Sequence, residues 1–91
     1  MMYFYIYILK LFDESLYTGY TNDLQRRLQE HRYGIGSRYV KGRRPFELVY
    51  LERIDGTISD AMKRERAIKK LTREQKKKLI YKTHKDTKNG L

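Results

Sequence analysis

YFYIYILKLFDESLYTGYTNDLQRRLQEH, Tyr3 to His31, contains two strand patterns, a turn and a helix start in close succession. From Tyr3 to Leu11 aromatic and β-branched residues dominate. A run of that composition and length is a strand, central in its sheet because both faces are apolar. Tyr3, Tyr5, Tyr7, Leu9 and Leu11 share one face of it. Asp13, Glu14 and Ser15 supply turn chemistry and Leu16 to Tyr20 forms a second strand, which makes the pair an antiparallel hairpin. In that second strand Leu16, Thr18 and Tyr20 point one way while Tyr17 and Gly19 point the other. Thr21 and Asn22 then suit an N-cap, Asp23 favours the positive end of a helix dipole, and Leu24 and Leu28 lie one turn apart on the helix's buried side.

Beyond this stretch, Gly34 and Gly36 end the helix near Arg32 or Tyr33 and open a basic loop, IGSRYVKGRRP. Pro45 precedes a third strand, Phe46 to Arg53, and Asp55 with Gly56 makes a turn. Ser59 is expected to cap a second helix that runs to about Lys70. Thr72 with Gln75 forms a capping-box pattern for a third, ending near Lys82. The order β-β-α-β-α-α describes an α+β domain, a small three-stranded antiparallel sheet flanked by helices. It occupies residues 1–82, followed by a polar tail, 83–91, that is expected to be disordered.

Ninety-one residues make one domain with one modest core, so a two-domain enzyme is excluded. Twenty-one Lys and Arg against eleven Asp and Glu leave a net charge of +10, which points to a polyanionic partner, nucleic acid first. A membrane surface fits less well, because the basic residues accompany ordinary core patterning and not a broad apolar helix face. The opening MMYFYIYILKLF is too short to span a bilayer and has no basic start, so it reads as a strand. No cysteine is present, so there is no disulfide partner, thiolate metal site or thiol nucleophile, and a cytoplasmic setting is expected.

Three features stand out chemically. Ala61, Met62, Ile68 and Leu71 mark the apolar stripe of the second helix, and Glu65 sits inside that stripe. A carboxylate facing the protein body needs a cation or a metal; the plainer alternative is an edge position paired with a local Lys or Arg. Arg27 and His31, four residues apart, stack on one face of the first helix, where a guanidinium fork and an imidazole suit a phosphate. Read plainly, they belong to a solvated basic face with Arg26, Gln29, Glu30 and Arg32. Nine tyrosines, most on or near strands, are either half-buried sheet residues or platforms for stacking bases. His84, in the polar tail, carries no specific role.

These residues together resemble the GIY-YIG nuclease superfamily, most closely its small stand-alone bacterial members, UPF0213-like, over roughly Tyr3 to Ile80. Tyr5-Ile6-Tyr7 matches the first half-motif and Tyr17-Thr18-Gly19 the second, with Tyr5 in place of the family's leading glycine and Thr18 in place of its isoleucine. Arg27 stands at the family's arginine, His31 at its His/Tyr position and Glu65 at its metal-binding glutamate. Tyr20 stands where the excision-repair nuclease of the superfamily has a lysine.

The resemblance implies a metal-dependent endonuclease that hydrolyses DNA phosphodiester bonds with low sequence specificity, in repair or recombination. Glu65 would hold one Mg²⁺ or Mn²⁺ ion, and Arg27 would clamp the scissile phosphate. Tyr17 would orient and deprotonate the water; a free phenol titrates near pH 10, so it needs nearby cations, and His31 is the alternative base. Tyr7 would position Tyr17 or the phosphate, and Gly19 would let the chain turn and a phosphate approach closely. Arg38, Lys41, Arg43 and Arg44 would contact flanking phosphates. DNA, branched or damaged DNA included, ranks ahead of RNA. The alternative is a nucleic-acid-binding module of the same fold with weak or no catalysis.

Overall fold

The computed structural model describes the backbone of residues 2–89 and the side chains of residues 2–83. Strand β1 (Tyr3–Lys10) lies in the middle of a three-stranded antiparallel sheet, with β2 (Leu16–Thr21) on one side and β3 (Glu47–Asp55) on the other. Tyr7 pairs with Gly19 across one ladder and with Leu51 across the other. The central position explains the doubly apolar run, since a strand paired on both edges and covered on both faces has no polar side to present.

Helix α1 (Leu24–Tyr33) starts at Asp23, whose side chain accepts from the Arg26 N–H. Thr21 and Asn22 therefore stop just short of the cap, and Thr21 Oγ1 instead accepts from the Asp23 N–H at 3.0 Å. A second difference lies in the basic loop, where residues Arg38–Lys41 form a one-turn helix, α2, capped by Ser37. Its Val40 is fully buried, so this turn is pinned by apolar packing. Helix α3 (Ile58–Lys69) starts two residues earlier than expected, because Thr57 and Asp60 close a reciprocal capping box and Ser59 already lies inside the helix. The Thr72–Gln75 box forms as expected ahead of α4 (Arg73–Asn89). The expected end near Lys82 is passed. No glycine or proline interrupts residues 73–89, and Thr83 Oγ1 donates to the Leu79 carbonyl at 3.1 Å within the continuing helix. Residues 90–91 of the expected tail, and the His84 side chain, lie outside the described residues.

Alternation along β1 divides the interior into two clusters. Tyr7, Leu9 and Leu11 pack with Leu28 of α1 and Val40 of α2. Phe4, Ile6 and Ile8 pack with Ala61 and Ile68 of α3, flanked by Leu71, Leu79 and Ile80. A register shift between Ile8 and Leu9 places both Val49 and Tyr50 of β3 in the second cluster. The sheet is thus a partition with α1 and α2 on one side and the α3–α4 hairpin on the other. Edge strand β2 is the place where side chains from both sides can meet.

Candidate active site

At that edge a concavity of about 350 Å³ is lined by Tyr7, Tyr17, Gly19, Arg27 and Glu65, together with Tyr20, Arg26 and Glu30. Tyr17 and Gly19 come from one face of β2 and Tyr20 from the other, so the concavity wraps around the strand. Helix α1 supplies Arg27 and α3 supplies Glu65 from the opposite side of the sheet. Five of the expected residues therefore converge from β1, β2, α1 and α3. Arg26 and Glu30, which read as solvated surface, also line it; Glu30 is bound by Arg27 at 3.1 Å.

Tyr7 forms the floor and is closed off from bulk water. Its hydroxyl is 2.8 Å from His31 Nε2, and the Arg27 guanidinium lies near enough to act on it. Burial, opposed by Arg27, pushes the Tyr7 phenol up to about 12. It therefore stays protonated at neutral pH. The other ring nitrogen, His31 Nδ1, is buried with no hydrogen-bond partner.

His31 is fully buried and does not line the concavity. Burial first, and the Arg27 charge second, lower it to about 4, so it is neutral at pH 7. It reaches the concavity through Tyr7 and has no direct path to a water there.

Two glycines make this arrangement possible by close approach. A Cβ on Gly19 would lie 2.5 Å from the Tyr7 hydroxyl oxygen and 2.6 Å from Cζ, so only glycine opposite Tyr7 leaves room for the phenol. The residue sits within β2, and its bareness serves Tyr7 in place of the expected turn into the helix. Gly36 does the same for His31, with a Cβ placed 2.8 Å from Nδ1. Its role thus goes beyond that of a helix stop.

Tyr17, half-buried, is held by rings. His31 meets it edge-on with centroids 5.5 Å apart, and Tyr39 of α2 stacks on it at 6.2 Å and 23°. Arg43 lies over the Tyr39 ring at 3.8 Å, donates to the Tyr39 carbonyl and pairs with Asp13 at 3.0 Å. Arg44 likewise donates to the carbonyls of Lys41 and Arg32 at 3.0 and 2.7 Å. Of the four cations expected to meet phosphates, Arg43 and Arg44 thus hold α2 against the hairpin turn and the end of α1. Arg38 and Lys41 project into solvent.

Glu65 keeps only 18% of its side chain exposed and pairs with Lys69 at 3.6 Å. One residue before it, Arg64 grips Glu52 of β3 through two hydrogen bonds of 2.7 and 2.9 Å, and Tyr50 donates to the same carboxylate. Against the cost of burial, these hydrogen bonds hold Glu52 below the ordinary carboxylate range. The clamp sets the register of α3 and with it the placement of Glu65.

Among the described residues no three His, Asp or Glu side chains converge on one point. A divalent ion here would have to be a hard, oxygen-seeking one that keeps most of its waters, and one half-buried carboxylate in an open polar concavity fits that description.

A family model described as the GIY-YIG catalytic domain matches residues 3–79. A UPF0213 protein of Haloquadratum walsbyi is 52% identical over 77 residues, covering 85% of each chain. One from Clostridium perfringens is 53% identical over 76 residues, covering 84% of this chain and 81% of its own. The solution NMR structure of the UPF0213 protein of Bacillus halodurans is 41% identical with a TM-score of 0.58, covering 88% of this chain and 84% of that one. A solution NMR structure from E. faecalis is 38% identical with a TM-score of 0.63, covering 92% and 88%. With motif residues, fold and relatives in agreement, this chain belongs to the GIY-YIG family and, within it, to the UPF0213 proteins.

Proposed function

We propose that this protein is a metal-dependent endonuclease that hydrolyses DNA phosphodiester bonds with little sequence preference, in a repair or recombination setting in the cytoplasm. The observation that supports it is the meeting of Tyr7, Tyr17, Arg27 and Glu65, from four separate elements, around one polar concavity.

Arg27 binds the scissile phosphate through its guanidinium and stabilises the negative charge that builds up on it, exchanging Glu30 for the phosphate as it does so. Tyr7 donates no proton to the reaction; it positions Arg27, with His31 behind it holding the hydroxyl in place. Tyr17, which must first release its own hydroxyl proton to solvent and act as the phenolate beside the Arg27 cation, orients the attacking water in line with the 3′ oxygen and takes its proton as the new P–O bond forms and the P–O3′ bond breaks. The 3′ oxygen leaves with a proton from solvent. A divalent ion at Glu65, Mg²⁺ or Mn²⁺, supplies positive charge beside that leaving oxygen when bound.

The second reading, a DNA-binding module without useful catalysis, draws on a specific observation: both charged groups are already paired, Arg27 with Glu30 and Glu65 with Lys69. Incubation with supercoiled plasmid and branched DNA, with and without Mg²⁺ or Mn²⁺, separates the two. Nicking that needs the metal and is lost in Glu65→Ala and Arg27→Ala is expected. Nicking indifferent to Glu65→Ala overturns the metal assignment, and binding without any nicking establishes the module.

A further inference from the structure

The chain's charge is unevenly placed. Residues 63–82 hold ten Lys and Arg against Glu65 and Glu74, a net +8, while the other 71 residues hold eleven against nine, a net +2. The rest of the chain, which forms most of the concavity, is therefore nearly neutral, and the excess belongs to the last part of α3 and the first part of α4. Lys63 and Arg66 of α3 and its C-cap Lys70 follow at helical spacing on the side opposite the buried Ala61 and Ile68. Lys78 and Lys82, four residues apart on α4, share one face of that helix. All five are exposed, and none forms an ion pair among the described residues. Arg43 and Arg44, by contrast, spend their donors on Asp13 and on backbone carbonyls.

We propose that the exposed basic face of α3 and α4, led by Lys63, Arg66 and Lys70, is the surface along which the backbone of duplex DNA leaves the concavity, held by phosphate contacts without base contacts. The inference rests on the DNA reading above and places its anchoring charge on the helical hairpin in preference to the α2 loop. Helix α3 joins the two regions, since Glu65 faces the concavity and Arg66 follows it directly. Lys63 to Lys70 spans about 10 Å of helix, the axial rise of about three base pairs. Binding of this kind falls steeply with salt and ignores sequence.

The test is fluorescence anisotropy of a short labelled DNA duplex titrated with the full-length protein over a range of KCl. Each phosphate that the protein no longer neutralises lowers the slope of log K against log salt by about 0.9. Lys63→Gln/Arg66→Gln/Lys70→Gln should therefore reduce the slope by about 2–3 and weaken binding at least about tenfold at low salt. Lys63→Arg/Lys70→Arg should keep the slope, and Arg38→Gln/Lys41→Gln should move it by less than about one. Thermal melting of each variant confirms that these exposed changes leave the fold intact. A triple variant with the wild-type slope, or a loop pair whose slope drops further than the triple variant's, overturns the surface and leaves the nuclease reading standing. Tighter binding to an RNA duplex of equal length, with the same dependence on α3, overturns DNA as the occupant. A wild-type protein that binds no duplex at low salt overturns the reading on which the surface rests.

Discussion

Tyr7 and Tyr17 stand on neighbouring strands, project to the same side of the sheet and line the same concavity, yet they are held in opposite ways. Tyr7 is wholly buried and fixed by its hydrogen bond to His31, with Gly19 cleared to admit its hydroxyl. Tyr17 is half-buried and fixed by the rings of His31 and Tyr39. A phenol closed off from bulk water and bonded to a buried imidazole can position its neighbours but has no open approach to an attacking water. The more open of the two is the one that can meet water. The contrast favours the proposed division, in which Tyr7 supports the site and Tyr17 handles the water.

The largest expected break is in stability. Tyr7→Ala empties the floor of the core beside Leu9 and Leu28 and should cost about 3–5 kcal/mol, whereas Tyr17→Ala should cost about 1 kcal/mol. Denaturant unfolding of the two variants checks this, and equal losses would remove the distinction between them.

Acid sharpens the same comparison through His31. Its folded-state value of about 4 lies below the ordinary 6.5, so the unfolded chain takes the proton first. The stabilisation is complete above pH 6.5 and is lost as pH falls towards 4, by about 3 kcal/mol in all. Glu52, Asp13 and Asp60 are lowered carboxylates, whose losses begin only at their ordinary values, 4.5 for Glu52 and 3.8 for the two aspartates, and so fall at or below the acid end of that window. Melting temperatures between pH 7 and pH 4 should drop in the wild type and flatten in His31→Gln; parallel curves would mean that His31 is not neutral in the fold.

A change as small as that of Tyr17→Ala is expected at the ring stacked on Tyr17. Tyr39→Leu removes the stack on Tyr17 and should cost about 1 kcal/mol, while the cleavage rate falls on the order of 10-fold through misplacement of the phenol. Tyr39→Phe keeps the ring and should restore the rate. A rate untouched by Tyr39→Leu would show that Tyr17 holds its position alone.

Much of this arrangement is legible in the sequence, and the exceptions have physical reasons. The short run of aromatic and β-branched residues from Tyr3 to Leu11 identifies the central strand, because a strand paired on both edges and covered on both faces is apolar throughout. Glu65 stands out because a carboxylate interrupts an apolar stripe at helical spacing. His31 shares a helical face with Arg27, but periodicity tells which side a residue faces and not how deep it lies, and its depth turns it from a base into a support for Tyr7. The α2 turn is hidden in a basic run between glycines, with Ser37 the one local sign of a cap. Arg43 and Arg44 read as phosphate ligands because their true partners, Asp13 and three carbonyls, become neighbours only after folding. Gly36 is legible as a helix stop but not as the bare wall against His31.

The most direct measurement is the single-turnover rate of plasmid nicking in saturating Mn²⁺ for Tyr17→Phe beside Tyr7→Phe, with DNA affinity and melting temperature recorded for both. Loss of about 100-fold or more in Tyr17→Phe, at unchanged affinity and stability, is the predicted result, since a positioned proton acceptor contributes on that order. A Tyr17→Phe protein that nicks within a few-fold of wild type would contradict the account.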